Sequence, residues 1–248
     1  MSEPELSVVI PAYNEAATIR QTVEAIERYL NGLGTRHEIL IIDDGSTDGT
    51  AGAVRELAGR PGSTVRLLQG RHLGKGAAVK QGMLEARGAC VLFMDADHST
   101  KIDEWAKCAP WLRDGYDVVI GTRKTAGADV RVHQPPLREA MGRVFTWLTN
   151  VLLTGSISDI TCGFKCFRQE AARRIFSQQR LDGWGFDAEI LFIARRQRCR
   201  LKEVPVVWAD HRATKVRLLR DAVGSFLELL QIRLGAMQGR YPSPPEPH

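Results

Sequence analysis

Asp95 and Asp97 stand one residue apart at the end of an apolar run, in "VLFMDADHST", residues 91 to 100. Two carboxylates that close repel each other, and nothing in a run of Val, Leu, Phe and Met compensates them, so the pair is suited to face a cation. Oxygen donors select a hard ion, Mg2+ or Mn2+. Two other polar stretches follow apolar runs in the same way: "PAYNE" at 11 to 15 and "DDGSTDGT" at 43 to 50. Taken singly, Pro11 and Asn14 turn the chain, Asp48 and Thr50 cap a helix, and Ser99 or Thr100 caps another near Ile102. Taken together they bring five Asp and one Glu to a single rim, more than capping requires. Such a rim repels a bare phosphate, so a diphosphate ligand needs the divalent ion between them, where it would neutralise a departing nucleoside diphosphate.

The elements that hold this rim are legible as patterns. "LSVVI", "EILII", "VRLL", "CVLFM" and "DVVIG" are short, rich in Val, Ile and Leu and not alternating, as strands covered on both faces should be. Ile19, Val23, Ile26 and Leu30 recur at helical spacing, and further helices are expected over 50 to 59, 76 to 87 and 102 to 113. Strand and helix in alternation imply right-handed crossovers and an α/β fold, a mostly parallel central sheet with helices on both faces. Ligands bind such sheets at the C-terminal strand ends, where the three polar stretches fall.

Several classes are excluded. The twelfth position counted from Asp44 is Arg55 where a calcium loop needs Glu. "GRHLGKG" lacks one residue and the Ser or Thr of a phosphate loop, and no G-x-G-x-x-G follows the first strand. A net charge of +5 over 248 residues is too small to indicate nucleic acid. Five scattered cysteines fit reduced thiols, and Cys162 with Cys166 has no second pair for zinc. The start "MSEPELS" is acidic rather than a secretory leader, and "VFTWLTNVLLTG" is shorter than the ~20 residues of a membrane span, so a cytoplasmic protein, soluble or peripheral on the membrane, is expected.

"SVVIPAYNE", "IIDDGSTDGT", "GKGAAVKQGM" and "DAD", in this order, resemble a family 2 glycosyltransferase with the A-type nucleotide-sugar fold. The resemblance implies one domain over 1 to 240, with a nucleotide-sugar half at about 5 to 123 and an acceptor half at about 124 to 215. It implies that Pro11, Tyr13, Glu15 and Asp43 or Asp44 hold the nucleoside, that Lys75 and Ala96 join Asp95 at the donor, and that Asp95 and Asp97 hold metal and diphosphate. "ISDITCGFKCF", "GWGFDAEILFIA", "EVPVVW" and "HRATKV" resemble the polyprenyl-phosphate glycosyltransferases, most closely the dolichyl-phosphate glucosyltransferase type. No Q-x-x-R-W of the glycan polymerases is present. The implied partners are a nucleotide-sugar donor and a polyprenyl-phosphate acceptor. His72 stands where these enzymes place Asn, and His98 where the glucosyltransferase type has Gly. Ser99 lies where mannosyl relatives carry an amide, which favours UDP-glucose over GDP-mannose. A catalytically idle scaffold of the same fold is the alternative from another class; a nucleotidyltransferase would need a Gly-rich basic loop where "PAYNE" stands.

Arg123, Arg138, Arg143, Arg212 and Lys215 follow the donor half and suit an acceptor phosphate. Such an acceptor, with a second pKa near ~6, is mostly ionised at neutral pH and needs little general base. Asp159 in "SDITCGF", near the acceptor in the resembling family, is expected to orient it or take its residual proton, with Arg123 and Asp97 as the other catalytic groups. Asp187 is expected toward the site and Glu189 on a backbone or basic group. Leu219, Val223, Phe226, Leu230 and Leu234 recur at helical spacing over 216 to 238, a stripe that could meet a membrane, the domain or a second subunit of a homo-oligomer. Residues 241 to 248 are expected to be a disordered tail.

Overall fold

The computed structural model describes residues 3–132, 135–210 and 218–243. The apolar runs form β1 (Leu6–Ala12), β2 (His37–Asp43), β3 (Val65–Gln69), β4 (Cys90–Met94) and β5 (Val118–Thr122). They lack alternation because both faces are covered: Val9, Leu40, Ile42 and Phe93 enter one core, while their neighbours Val8, Ile39, Ile41 and Leu92 enter the other. Between β1 and β2, α1 (Ile19–Gly32) buries Ile19, Val23, Ile26 and Leu30, the stripe its spacing predicts. Next come α2 (Thr50–Ala58), α3 (Lys75–Glu85) and, after a 3-10 turn at Ile102–Glu104, α4 (Trp105–Arg113).

The second half supplies β6 (Asp129–Val132), α5 (Pro136–Thr149) running into a π-helical turn at Asn150–Thr154, β7 (Phe164–Arg168), α6 (Gln169–Phe176), α7 (Phe186–Arg196), β8 (Leu201–Pro205), β9 (Val207–Ala209) and α8 (Leu218–Met237). The main sheet has the order β3-β2-β1-β4-β7-β5-β8, and β6 pairs with β9 in a small ribbon. Every neighbour in the main sheet is parallel except β7, which runs antiparallel to both β4 and β5, with Phe164 opposite Met94. This reversal positions the site. The residues just before β7 arrive at the rim where β4 and β5 end, so "SDITCG" lies beside Asp95 and Arg123.

At the C-terminus one open choice narrows and one expectation changes. The described members of the α8 stripe, Phe226, Leu230 and Leu234, are exposed, whereas Leu229 and Ile232 enter the core; the side chains of Leu219 and Val223 lie outside the described residues. Tyr241, assigned above to a tail, is buried and gives its hydroxyl to Glu189 at 2.7 Å, while Arg196 Nε donates to its carbonyl at 2.8 Å. Burying a ring whose hydroxyl finds a carboxylate outweighs the entropy of ordering one more residue of chain. Residues 244 to 248 lie outside the described residues.

Candidate active site

At the end of β1 and β2 the polar stretches are laced together. Asn14 N donates to Ser46 Oγ at 2.9 Å and Glu15 N to Thr50 Oγ1 at 2.8 Å. Asp43 accepts from Ser46 N and from the Gln69 amide. Asp44 accepts from Leu73 N at 2.8 Å and Gly74 N at 3.0 Å, and its Oδ2 lies 2.8 Å from His72 Nδ1. The His72 ring so held stacks on Tyr13, centroids 4.1 Å apart. Both acids are buried and shape the loops, and a shallow cleft of about 350 Å3 lined by Asp43, Asp44, Gly70, Leu73, Lys80 and Gln81 opens beside them. A larger groove, about 420 Å3, lies away from the carboxylates along α8. Pro11, the last residue but one of β1, lies opposite Ile42, and the Ala96 carbonyl accepts from Thr22 Oγ1 of α1 at 2.7 Å.

Past β4, Asp95 meets a positive charge already. Lys75, the first residue of α3, sets Nζ 2.7 Å from Asp95 Oδ1 and 5.5 and 5.4 Å from the ring centroids of Phe93 and Trp184. Burial alone would lower the Lys75 pKa, but Asp95, Asp187 and Asp97 together hold it above its ordinary value. Asp97 Oδ1 accepts from Ser99 N at 2.9 Å, and burial followed by the charge of Asp95 pushes its carboxyl up. Burial is the larger cause, and the part due to Asp95 is the repulsion the spacing implied. Asp95 rests directly on Gly163: its N–H donates to the Gly163 carbonyl at 3.1 Å, and a Cβ at residue 163 would lie 1.9 Å from Asp95 Oδ2. Behind them Lys165, wholly buried on β7, pairs with Asp187 and donates to the Cys162 carbonyl at 2.7 Å. Burial pushes the Asp187 carboxyl up even against Lys165 and Lys75. Glu189 accepts from the backbone N–H groups of Arg180 and Leu181.

Across Gly163 the charge changes sign. Arg123, following β5, clasps the wholly buried Asp159 with Nε to Oδ2 and Nη2 to Oδ1, both 2.7 Å, and its backbone N–H adds a third bond of 3.0 Å. Burial would raise the Asp159 carboxyl, but the Arg123 hydrogen bonds and charge outweigh it and hold it below the usual carboxylate range. Lys124 donates to Thr146 Oγ1 of α5 at 2.9 Å and lies 4.0 Å from Asp159 Oδ1. Burial, with Arg123 and Arg143 beside it, outweighs Asp159 and holds the Lys124 ammonium below its ordinary pKa. Asp159 thus faces two cations, Arg123 and Lys124, with Arg143 beside Lys124, while its own backbone N–H donates to Glu203 Oε1 at 3.3 Å. Arg138 sits on the first turn of α5; Arg212 and Lys215 lie outside the described residues.

Sequence reasoning named the two acids and Arg123 but missed Lys124, Gly163, Lys165 and Trp184. "TCGFK" served only to set the register, although a Gly and a Lys flanking an aromatic at a strand start signal close approach and a buried charge. Among the described residues no group of three His, Cys, Asp or Glu side chains is gathered for a metal. The chain offers two hard donors, and a diphosphate and water would supply the rest, as Mg2+ and Mn2+ sites that serve nucleotides do. Cys162 is buried and its thiol is pushed up to about 12, so it stays a thiol.

A mostly parallel sheet covered by helices, with paired acids at one strand end and cations at the next, is an A-type glycosyltransferase fold. The solved structure of mannosyl-3-phosphoglycerate synthase from Rubrobacter xylanophilus superposes with TM-score 0.70 at 19% identity, covering 98% of this chain and 78% of that one. Glucosyl-3-phosphoglycerate synthase from Mycobacterium tuberculosis, solved with Mn2+, UDP and glucosyl-3-phosphoglycerate, gives 0.66 at 19%, covering 98% and 82%. The sequence model of glycosyl transferase family 2 matches residues 7–176, and the chain belongs to that family and is a glycosyltransferase. Its curated relatives include dolichyl-phosphate beta-glucosyltransferases from Trichomonas vaginalis, 33% identical over 94% of this chain and 72% of the relative, and from Saccharomyces cerevisiae, 33% over 95% and 76%.

Proposed function

We propose that the protein transfers glucose from UDP-glucose to a polyprenyl phosphate, with inversion and with Mg2+ or Mn2+. The observation that carries this reading is the change of charge across Gly163: Asp95 and Asp97 on one side, Arg123, Lys124 and Arg143 on the other. Two phosphate-bearing substrates need that division, one bound through a cation and one bound directly by guanidinium and ammonium groups. Pro11, Tyr13, Glu15, Asp43 and Asp44 would form the nucleoside end. Asp95 and Asp97 would hold the ion, since both are hard oxygen donors and Asp95 is already matched to a positive partner 2.7 Å away. When bound, that ion offsets charge on the leaving diphosphate. Arg123 and Lys124 would draw the acceptor phosphate to the opposite face of the sugar, where an ionised oxygen attacks without a strong base. Asp159, ionised and committed to Arg123, orients that arginine. The relatives, which are dolichyl-phosphate beta-glucosyltransferases, support the choice of glucose and of a polyprenyl phosphate.

A lipid acceptor also calls for a surface where lipid is met. Among the described residues no helix is long and apolar enough to cross a membrane. Exposed Phe226, Leu227, Leu230, Leu234 and Met237 on α8, with Leu137, Val144 and Trp147 on α5, offer a peripheral face, flanked by Arg233. The test is incubation with a polyprenyl phosphate, Mg2+ or Mn2+, and UDP-glucose, UDP-galactose or GDP-mannose. A glucolipid from UDP-glucose is expected. Donor binding without any glycolipid would point to the scaffold reading, and a mannolipid would correct the sugar.

A further inference from the structure

The helix that carries the exposed apolar face also reaches the donor site. Glu228 of α8 accepts from Gly185 N at 2.8 Å through Oε2. A side chain beneath it would have to displace the carboxylate: a Cβ on Gly183 would lie 2.6 Å from Glu228 Oε1, and one on Gly185 2.6 Å from Oε2. The other side of the same turn docks on the start of α3. The Asp182 carbonyl accepts from Gly76 N at 2.8 Å and Ala77 N at 3.3 Å, and a Cβ on Gly74 would meet that oxygen at 2.4 Å. Gln179 ties the approach by donating to the carbonyls of Gly76 and Leu181. Trp184 stands at the tip of the turn, 39% exposed, with its ring 5.4 Å from the Lys75 ammonium that faces Asp95. Four glycines therefore let two helices grip one short turn between them.

We infer that Glu228 is a positioning residue for the donor: it holds the Asp182–Gly185 turn against α3 and so fixes Trp184 and Lys75 around a hexose diphosphate at Asp95. The inference rests on the sugar-nucleotide reading above. Once the diphosphate draws the ammonium toward itself, the indole face it covered is left for the hexose. A misplaced turn should then weaken donor binding and leave the acceptor side, across Gly163, unaffected.

The test uses the full chain with Mn2+, measuring UDP and UDP-glucose binding by calorimetry, Michaelis constants for both substrates, and melting. Glu228→Ala should raise the donor KM about tenfold with the acceptor KM within about twofold. Glu228→Gln keeps an oxygen acceptor for Gly185 N and should recover most of that loss. Trp184→Phe, at a half-exposed position that does not threaten folding, should weaken UDP-glucose binding more than UDP binding. The inference is overturned if Glu228→Ala keeps the parent donor KM, if Gln does no better than Ala, or if donor and acceptor constants rise together as for a general distortion of the site. Should the Ala variant not fold, equal effects of Trp184→Phe on UDP and UDP-glucose overturn it. A wild-type chain that binds neither nucleotide overturns the proposed function and this inference with it; wild-type binding with unaltered variants overturns this inference alone.

Discussion

Arg123→Ala isolates the buried ion pair at the acceptor side. Asp159 has no exposed side-chain surface, and the guanidinium gives it two bonds of 2.7 Å. The alanine variant keeps only the backbone bond of 3.0 Å and Lys124 at 4.0 Å. Removing one partner of a buried pair costs about 3–5 kcal/mol, and the two remaining contacts place this case near ~3. For a chain of this size that is a fall in melting temperature of roughly 6–12 °C. Urea unfolding of Arg123→Ala, Asp159→Asn and the double variant should give a coupling energy of about 2 kcal/mol or more. The pH dependence has a definite sign. Because the folded Asp159 carboxyl lies below its unfolded value of ~3.9, its stabilisation is complete above that value and is lost as pH falls through the folded one. The deficit of Arg123→Ala should therefore be constant between about pH 6 and about pH 8 and shrink on acidification below about 4. A carboxylate so held is a poor proton acceptor, so the rate loss of Asp159→Asn should be equal across the neutral range. Destabilisation under ~1 kcal/mol with no coupling would refute the pairing argument, and a rate defect that deepens at low pH would make Asp159 the base.

Asp97→Asn removes one of two hard donors and should reduce transfer supported by Mg2+ or Mn2+ by about 10²-fold or more while the melting curve stays in place; turnover near the parent rate would remove the metal assignment. Gly163→Ala sets a Cβ 1.9 Å from Asp95 Oδ2, and displacing that carboxylate by ~1 Å should cost about 10²-fold in kcat/KM; parent-like kinetics would show that Asp95 need not sit there. Changing Phe226, Leu230 and Leu234 together to Ser should cut co-sedimentation with anionic vesicles by about 10²-fold yet leave folding intact, because all three are exposed. Undiminished sedimentation would exclude that face as the lipid contact.

The donor half was legible in the sequence for a physical reason. Strands buried on both faces read as unbroken apolar runs, and the polar residues that follow them must emerge at one edge, so Asp43, Asp95 and Arg123 could be assigned to a rim from their offsets alone. The acceptor half resisted the same reading. β7, "FKCFR", carries Lys165 in the core, a residue whose burial depends on Asp187 far along the chain. The pairing of Arg123 with Asp159 joins two loops whose separation hides it. α8 is apolar on more than one side, with Leu227, Leu229, Leu230 and Ile232 nearly consecutive, so spacing identified a helix without selecting the face that meets the core. Tyr241 was lost to its neighbours, since Pro and Ser beyond it suggest a tail while the ring itself finds Glu189.

The reversed strand β7 also sets an order of events during synthesis. When Asp95 and Asp97 have emerged from a ribosome, β4 can pair with β1 but its other edge, Cys90–Met94, has no partner until Phe164–Arg168 arrives. In that interval the nascent chain carries an unpaired apolar edge, a template for association with other chains. A truncation that stops short of β7 keeps the whole acidic rim in its sequence, yet it exposes that edge and leaves Asp95 without the glycine it rests on. Fragments that end there are expected to reach the aggregate rather than the soluble fraction, however complete their donor motifs look on paper.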